Sequence, residues 1–292
     1  MDYPKTILSL IKYKVSIAVS FTAITGYLVY TRALDFQLLI MTLGVFLLAS
    51  GASALNQVQE SKYDAKMDRT KNRPIPMGEI SRLNALIVSV LFIMLGLAVF
   101  YLFFNVTTVL LGLTNVFWYN FIYTNLKRIT PFAVVPGSLV GAIPALIGWT
   151  AAGGYVFDTT IVFIAFFMFI WQIPHFWLLM LKYGKQYEEA GFPTINQTMS
   201  PEGLKLVIFI WVVATSVSSI MVPIFLNNVS LFFYLLVFAL NILFVGIFVK
   251  LSFGKIAELN FRKSFISINV YMMIFMLMLI VYQLSKNIPI LQ

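Results

Sequence analysis

Gln37-Leu-Leu-Ile-Met-Thr-Leu-Gly-Val-Phe-Leu-Leu-Ala-Ser-Gly-Ala-Ser-Ala-Leu-Asn56-Gln-Val-Gln-Glu60-Ser-Lys-Tyr-Asp64 begins as lipid-soluble chain and ends as a row of polar groups. No residue from Gln37 to Gln59 is charged. A helix of ~20 apolar residues crosses a bilayer. Lipid offers nothing to backbone N–H and C=O groups, so a span is a helix or part of a closed barrel. The run shows no alternation of period two, which selects the helix. The same reasoning places spans near 15–31, 37–57, 83–104, 106–126, 132–152, 159–181, 204–226, 230–250 and 264–285. The expectation is an all-α polytopic membrane protein of nine transmembrane helices.

Composition agrees. The 292 residues are 60% hydrophobic and 11% charged, with a mean hydropathy of +0.91; soluble domains carry about a quarter charged residues. Cysteine is absent, which excludes disulfides and thiolate chemistry. Met1 to Lys14 holds no small-residue cleavage site after a short apolar core, so no removable signal peptide is expected. No linker or composition shift divides the chain, and a single transmembrane domain over 1–292 is expected. Pro136, Pro144, Pro174, Pro223 and the Gly137/Gly141 pair fall inside spans, where neighbouring helices re-satisfy the backbone.

The net charge of +9 is a matter of topology rather than of nucleic acid, and no nucleic-acid partner is expected. Counted by loop, the basic residues number three before the first span, six between the second and third, two between the fourth and fifth, three between the sixth and seventh, and four between the eighth and ninth. Eighteen of the 20 thus share one side, and only Arg32 and Lys286 take the other. The positive-inside rule makes that side cytoplasmic. An odd number of spans then puts the C-terminus outside the cell membrane.

Asn56, Glu60, Asp64 and Asp68 recur every four residues, a spacing that stacks side chains on one helix face with a drift of about 40° per step. Like charges so placed repel by roughly a few tenths of a kcal/mol per pair. A positive partner is called for, and Mg²⁺, a hard cation that takes one or two carboxylates together with substrate phosphates, suits the row. Arg69 and Arg73, again four apart, offer guanidinium forks to phosphate oxygens. Metal-binding acids beside phosphate-binding bases at a membrane surface point to a lipid diphosphate. A solvated helix with Glu/Asp to Lys/Arg pairs would carry the same residue types. The functional reading gains because the row starts within an apolar span, where Asn56 and Glu60 are costly without a task.

A second polar stretch runs Trp171-Gln-Ile-Pro-His175-Phe-Trp177 and continues through Lys182, Lys185, Gln186, Tyr187, Glu188 and Glu189 to Pro193. His175 is the one histidine of the chain. It is either a hydrogen-bonded packing residue or a group that ligates iron, accepts a proton or stabilises charge. Trp171, Phe176 and Trp177 read equally as an interfacial belt and as walls for a flat aromatic ligand. Asn120, Tyr123, Lys127 and Arg128 close the fourth span as a third polar spot, readable as interface anchors or as part of the same site.

These residues resemble the UbiA-type membrane prenyltransferase superfamily of ubiquinone, menaquinone, chlorophyll and haem biosynthesis. Its pattern Asn-x-x-x-Asp-x-x-x-Asp with an Arg-x-x-x-Arg-Pro tail is matched by Asn56, Glu60, Asp64, Arg69, Arg73 and Pro74, with glutamate at the middle position. Tyr123-x-x-x-Lys127 resembles a further superfamily motif that contacts diphosphate. Trp171-Gln-x-Pro-His175-Phe, Met67-Asp-Arg-Thr-x-Asn-Arg-Pro74 and Tyr187-x-x-Ala-Gly-x-Pro193 are similar to the haem-farnesylating branch, the haem O synthases. The resemblance runs over the whole chain.

It implies a reaction of farnesyl diphosphate, haem b and water that gives haem O and diphosphate, with Mg²⁺ as cofactor. Asn56, Glu60 and Asp64 are the implied metal ligands. Arg69, Arg73 and His175 join them as the implied catalytic group. Asp68, Tyr123, Lys127, Trp171, Gln172, Lys182, Lys185 and Tyr187 are the implied substrate contacts. Gln186 stands where members of the family usually carry an acid, so a second Mg²⁺ ligand from that loop would fall to Glu188 or Glu189. Membrane lipid, haem A synthase and the assembly of a terminal oxidase are the implied partners. A quinone-type acceptor would share the first motif without explaining Trp171 to His175. A secondary transporter would need polar groups near the midplane and paired inverted halves, which an acidic row at one surface and nine spans do not supply.

Overall fold

The computed structural model describes residues 3–226, 228–253 and 261–286; Lys255, one of the basic residues counted above, lies outside them. The helices are α1 (Tyr3–Leu10), α2 (Tyr13–Thr31), α3 (Phe36–Asp64), α4 (Arg82–Phe103), α5 (Val106–Phe117), α6 (Thr124–Leu126), α7 (Val134–Gly137), α8 (Leu139–Ala151), α9 (Thr159–Glu189), α10 (Pro201–Met221), α11 (Leu231–Phe253) and α12 (Phe261–Ser285). No strand occurs among the described residues.

Side-chain caps set several helix starts. Asp35 accepts the Leu38 N–H at 2.8 Å and opens α3, and the Tyr27 hydroxyl donates to the same carboxylate. Ser81, Asn105, Asp158 and Ser200 cap α4, α5, α9 and α10 in the same way. Each satisfies an amide that has no partner within its helix.

Among the described residues, seven helical segments are long and apolar enough to cross a membrane, and eight if α1 and α2, bent by 49° at their junction, count as one. The expected span 106–126 is not one continuous α-helix. A π-helical turn at Trp118–Tyr123 joins α5 to α6, and the Trp118 indole N–H donates to the Pro136 carbonyl at 2.7 Å. The segment Pro131–Ala151 is likewise broken: a 3₁₀ turn at Pro131–Ala133 leads into α7, which carries Pro136 and Gly137, and Ser138 separates α7 from α8. Pro223 lies in the 3₁₀ turn Val222–Phe225 that ends α10; proline has no N–H to continue the α ladder. Pro144 and Pro174 sit inside α8 and α9.

The apolar faces sort the helices by depth. α8 and α9 are the most enclosed, whereas α4 and α11 turn most of their surface outward, with Leu83, Ile87, Leu91 and Met94 exposed along α4. In lipid that surface needs no cover, so packing there comes from close backbone approach through small residues. The α2–α8 crossing is the clearest case. A methyl group at Gly148 would overlap the Ala23 carbonyl, and one at Gly26 the Ala145 carbonyl. Neither obstacle is a side chain that can swing aside. Gly148→Leu is therefore expected to destabilise by at least about 3 kcal/mol, the top of the usual overpacking range, read as a large drop in Tm in detergent. Gly246→Ala on α11, with nothing within 4 Å of the new methyl, is the control and should leave Tm unchanged or raise it.

Candidate functional site

The polar end of α3 is shorter than its spacing predicts. The helix stops at Asp64, where the Thr70 hydroxyl takes the Asp64 carbonyl at 2.9 Å and ends the ladder. Asp68 therefore leaves the row and pairs with Lys71 at 2.6 Å on the surface. Arg69 and Arg73 lie in the turns that follow, not on a helix.

The remaining three members of the row face a cavity of about 840 Å³, and each is met by a cation. Lys12 Nζ donates to Asn56 Oδ1 at 3.0 Å. Lys127 Nζ lies 2.6 Å from Glu60 Oε1. The Arg73 guanidinium grips both Asp64 oxygens, at 2.7 and 2.8 Å. The Asn56 amide also donates to Thr124 Oγ1 at 3.2 Å, which ties α3 to α6. The buried Asn120 amide donates to the Ala52 carbonyl at 3.0 Å, and Gln59 Nε2 returns a bond to the Asn120 carbonyl at 3.0 Å. The π turn thus brings Asn120, Tyr123, Thr124 and Lys127 to bear on the acidic row. Lys127 also stands 5.0 Å above the Tyr123 ring.

The end of α9, which runs on to Glu189 rather than giving way to a loop, borders the cavity through Tyr187, followed by Phe192 and Pro193. Arg69 donates to the Tyr187 hydroxyl at 2.6 Å and lies over the rings of Tyr183 and Tyr187. Its backbone N–H donates to Gln186 Oε1 at 3.1 Å. Phe192 and Ala190 pack on Met67 beneath this clasp. Glu188 accepts from the Thr194 hydroxyl. Neither it, Glu189 nor Gln186 lines the cavity, and the same holds for Asp68, Lys182 and Lys185. Lys182 instead lies over Tyr183 and Phe261.

His175 lines the cavity away from the acids, together with Trp171 and Gln172. Its ring lies 4.9 Å from that of Trp171 and 4.9 Å from that of Phe265. Its Nδ1 is buried with no hydrogen-bond partner, and so is Gln172 Oε1. A buried polar atom left unpaired costs about 1–3 kcal/mol, and both of these residues line the cavity wall. Gly141 makes room for the Gln172 amide, which an added methyl would displace.

The donors fit Mg²⁺. Asn56, Glu60 and Asp64 present hard oxygen atoms to one cavity, the donor type Mg²⁺ takes. Among the described residues no group of three or more His, Cys, Asp or Glu gathers to hold a metal alone. A substrate oxygen or water must complete such a site.

Sequence patterning did not single out Lys12, Thr124, Phe265, Asn269 or Met272, all at or on this cavity. Lys12 has the most to say. It holds a left-handed conformation, φ 47° and ψ 51°, in the break before α2, and that twist turns a lysine counted only for topology into the site. Gln57 fixes the break by donating to the carbonyls of Ser9 and Leu10 at 3.0 and 2.8 Å. Burial first, and then the Arg73 charge, lowers the Lys12 ammonium to about 7, with Glu60 acting in the opposite direction.

The chain is similar to known proteins over most of its length. The profile of the UbiA prenyltransferase family matches residues 18–269. A protoheme IX farnesyltransferase from Nitratidesulfovibrio vulgaris (strain DP4) is 35% identical over 216 residues, 74% of this chain and 75% of that protein. One from Colwellia psychrerythraea is 34% identical over 276 residues, 92% of this chain and 88% of that protein. Among solved structures, a digeranylgeranylglyceryl phosphate synthase superposes with a TM-score of 0.78 at 20% identity, covering 98% of this chain and 100% of that one. A UbiA homolog from Archaeoglobus fulgidus bound to GPP and Mg²⁺ superposes with a TM-score of 0.74 at 15% identity, covering 96% and 99%.

Proposed function

The chain belongs to the UbiA prenyltransferase family, and from that premise we propose that it transfers the farnesyl group of farnesyl diphosphate to a vinyl group of haem b, with addition of water, to give haem O and diphosphate. The observation that carries this reading is the meeting in one cavity of a cation-paired acidic row, Asn56, Glu60 and Asp64, with the unpartnered His175 and Gln172.

Asn56, Glu60 and Asp64 would hold Mg²⁺, which when bound supplies charge to the diphosphate oxygens. Lys12, Lys127 and Arg73, each paired in the resting protein with one member of the row, turn to the phosphate oxygens when substrate arrives. Arg69 does the same from the turns after α3. Cations fixed where negative charge grows on the leaving group lower the cost of breaking the allylic C–O bond. The allylic cation left behind needs shelter from water. The Tyr123 and Phe176 rings, 6.0 Å apart between centroids, and Tyr119 beside them line that part of the cavity, where aromatic faces favour a cation. The vinyl terminus of haem bonds to the farnesyl carbon, water adds at the neighbouring carbon, and a proton is lost. His175 and Gln172, with Trp171 alongside, hold the haem.

The bilayer is crossed nine times. α1 lies ahead of the first crossing, and α5, the π turn and α6 together make the fourth. Eighteen basic residues then sit on the cytoplasmic side, where the site opens, with the N-terminus there and the C-terminus outside. Membranes containing the protein, given haem b and farnesyl diphosphate, should form a haem heavier by one farnesyl group and one water, identified by mass. Removing Mg²⁺ with a chelator should abolish it, and restoring Mg²⁺ should return it. A farnesylated quinone precursor in place of a farnesylated haem would refute the acceptor.

A further inference from the structure

Away from the acidic row the cavity extends between α2, α3, α5 and α8, lined mostly by apolar residues, and on each of these helices its lining ends at a definite residue. On α3 the lining positions follow a single face from Asn56 through Ala52, Ala49 and Leu48 to Val45, and none precedes Val45. α2 contributes down to Thr22, α5 down to Asn115 and α8 down to Ile147. Just beyond, the molecule is solid. Gly148 sits against the Ala23 backbone, and Met41 and Phe100, both fully buried, fill the space with Tyr27.

The depth follows from helix rise. Asn56 to Val45 is eleven residues, about 16 Å at ~1.5 Å per residue. Lys12 to Thr22 gives about 15 Å by the same rise. An extended chain of three isoprene units is roughly 14 Å long by ordinary covalent dimensions. A fourth unit would enter the packed layer of Met41 and Phe100. Ala49 lies about 10 Å below Asn56 on this scale, level with the end of the second unit.

We propose that this part of the cavity receives the prenyl tail and that its floor, formed by Val45 and Ile147, sets the accepted length at three isoprene units. The inference rests on the diphosphate reading of the acidic row and adds the specificity of the same site. It assigns length selection to Ile147 and Ala49. Ile147 is almost fully buried, so cutting it to alanine opens the floor. Ala49 is small, so a phenylalanine there raises the floor by about one unit.

The test is competitive displacement of labelled farnesyl diphosphate from the protein by unlabelled geranyl, farnesyl and geranylgeranyl diphosphates, in Mg²⁺ and without haem. Ratios of affinity within one preparation do not depend on how much of a variant folds. Wild type should favour the C15 chain over the C20 chain. Ile147→Ala should raise the C20:C15 affinity ratio about 10-fold or more, in line with the discrimination apolar pockets reach. Ala49→Phe should raise the C10:C15 ratio by a similar factor. Ratios unmoved in either variant would overturn the assignment. Displacement that ignores chain length but is lost in Arg73→Ala would overturn it while leaving the diphosphate site intact. Loss of the haem product in wild type, with the ratios shifting as stated, would sink the acceptor reading alone.

Discussion

Asp64→Asn should lower haem farnesylation by at least about 1000-fold, the upper end of what one group acting on developing charge contributes, while the protein still inserts and melts near the wild-type temperature. The substitution keeps the shape of the side chain and one oxygen for Arg73, which holds both Asp64 oxygens at 2.7 and 2.8 Å. It removes one of the two negative charges facing the cavity from α3, the other being Glu60. Asp64 is almost wholly buried, at 1% side-chain exposure, so water cannot make good the loss. Arg73→Ala should be as inactive but less stable. It strands a buried carboxylate, and breaking such a pair from one side costs about 3–5 kcal/mol. Haem product by mass, alongside Tm in detergent, checks both. Full turnover in both variants would remove the diphosphate site from consideration.

His175→Ala should separate the two substrates. Haem-dependent turnover is expected to fall by about 100-fold or more, the order that follows from losing one polar contact to a ligand in a dry site. Binding of farnesyl diphosphate, measured without haem, should stay within about threefold of wild type. The physical ground is that His175 touches none of the acids or their cations. Its ring is packed between Trp171 and Phe265, and its Nδ1 has no partner inside the protein. An unpartnered Nδ1 at the cavity wall is a group a bound ligand can meet. Equal haem O yield from the variant would return His175 to a packing role. Weakened farnesyl diphosphate binding would place it on the diphosphate side instead.

Much of this was legible in the sequence because helical periodicity carries it. Asn56, Glu60 and Asp64 are four apart on a helix whose apolar half is unmistakable, and they do share a cavity. Where legibility ended, backbone geometry or distant packing had taken over. Asp68 keeps the spacing but not the helix, since Thr70 closes the chain at Asp64. Lys12 enters through a left-handed residue, which no pattern of side chains announces. Phe265, Asn269 and Met272 reach the cavity because α12 packs on α2 and α9, contacts of long sequence separation. The π turn is not announced by residue type either, for Trp118 to Tyr123 contains no proline or glycine to mark a break.

That turn constrains how this stretch can change. A π turn is an α-helix with one residue too many, and each residue advances the helix by about 100°. Deleting one position between Trp118 and Tyr123 would restore a regular α-helix and swing Thr124 and Lys127 about a quarter turn away from Asn56 and Glu60. Insertions and deletions here would therefore uncouple the two strands of the active site's wiring while leaving hydrophobicity untouched, so a chain lacking this single surplus residue would still look like a membrane helix and yet have lost the grip of its lysine on the acid opposite.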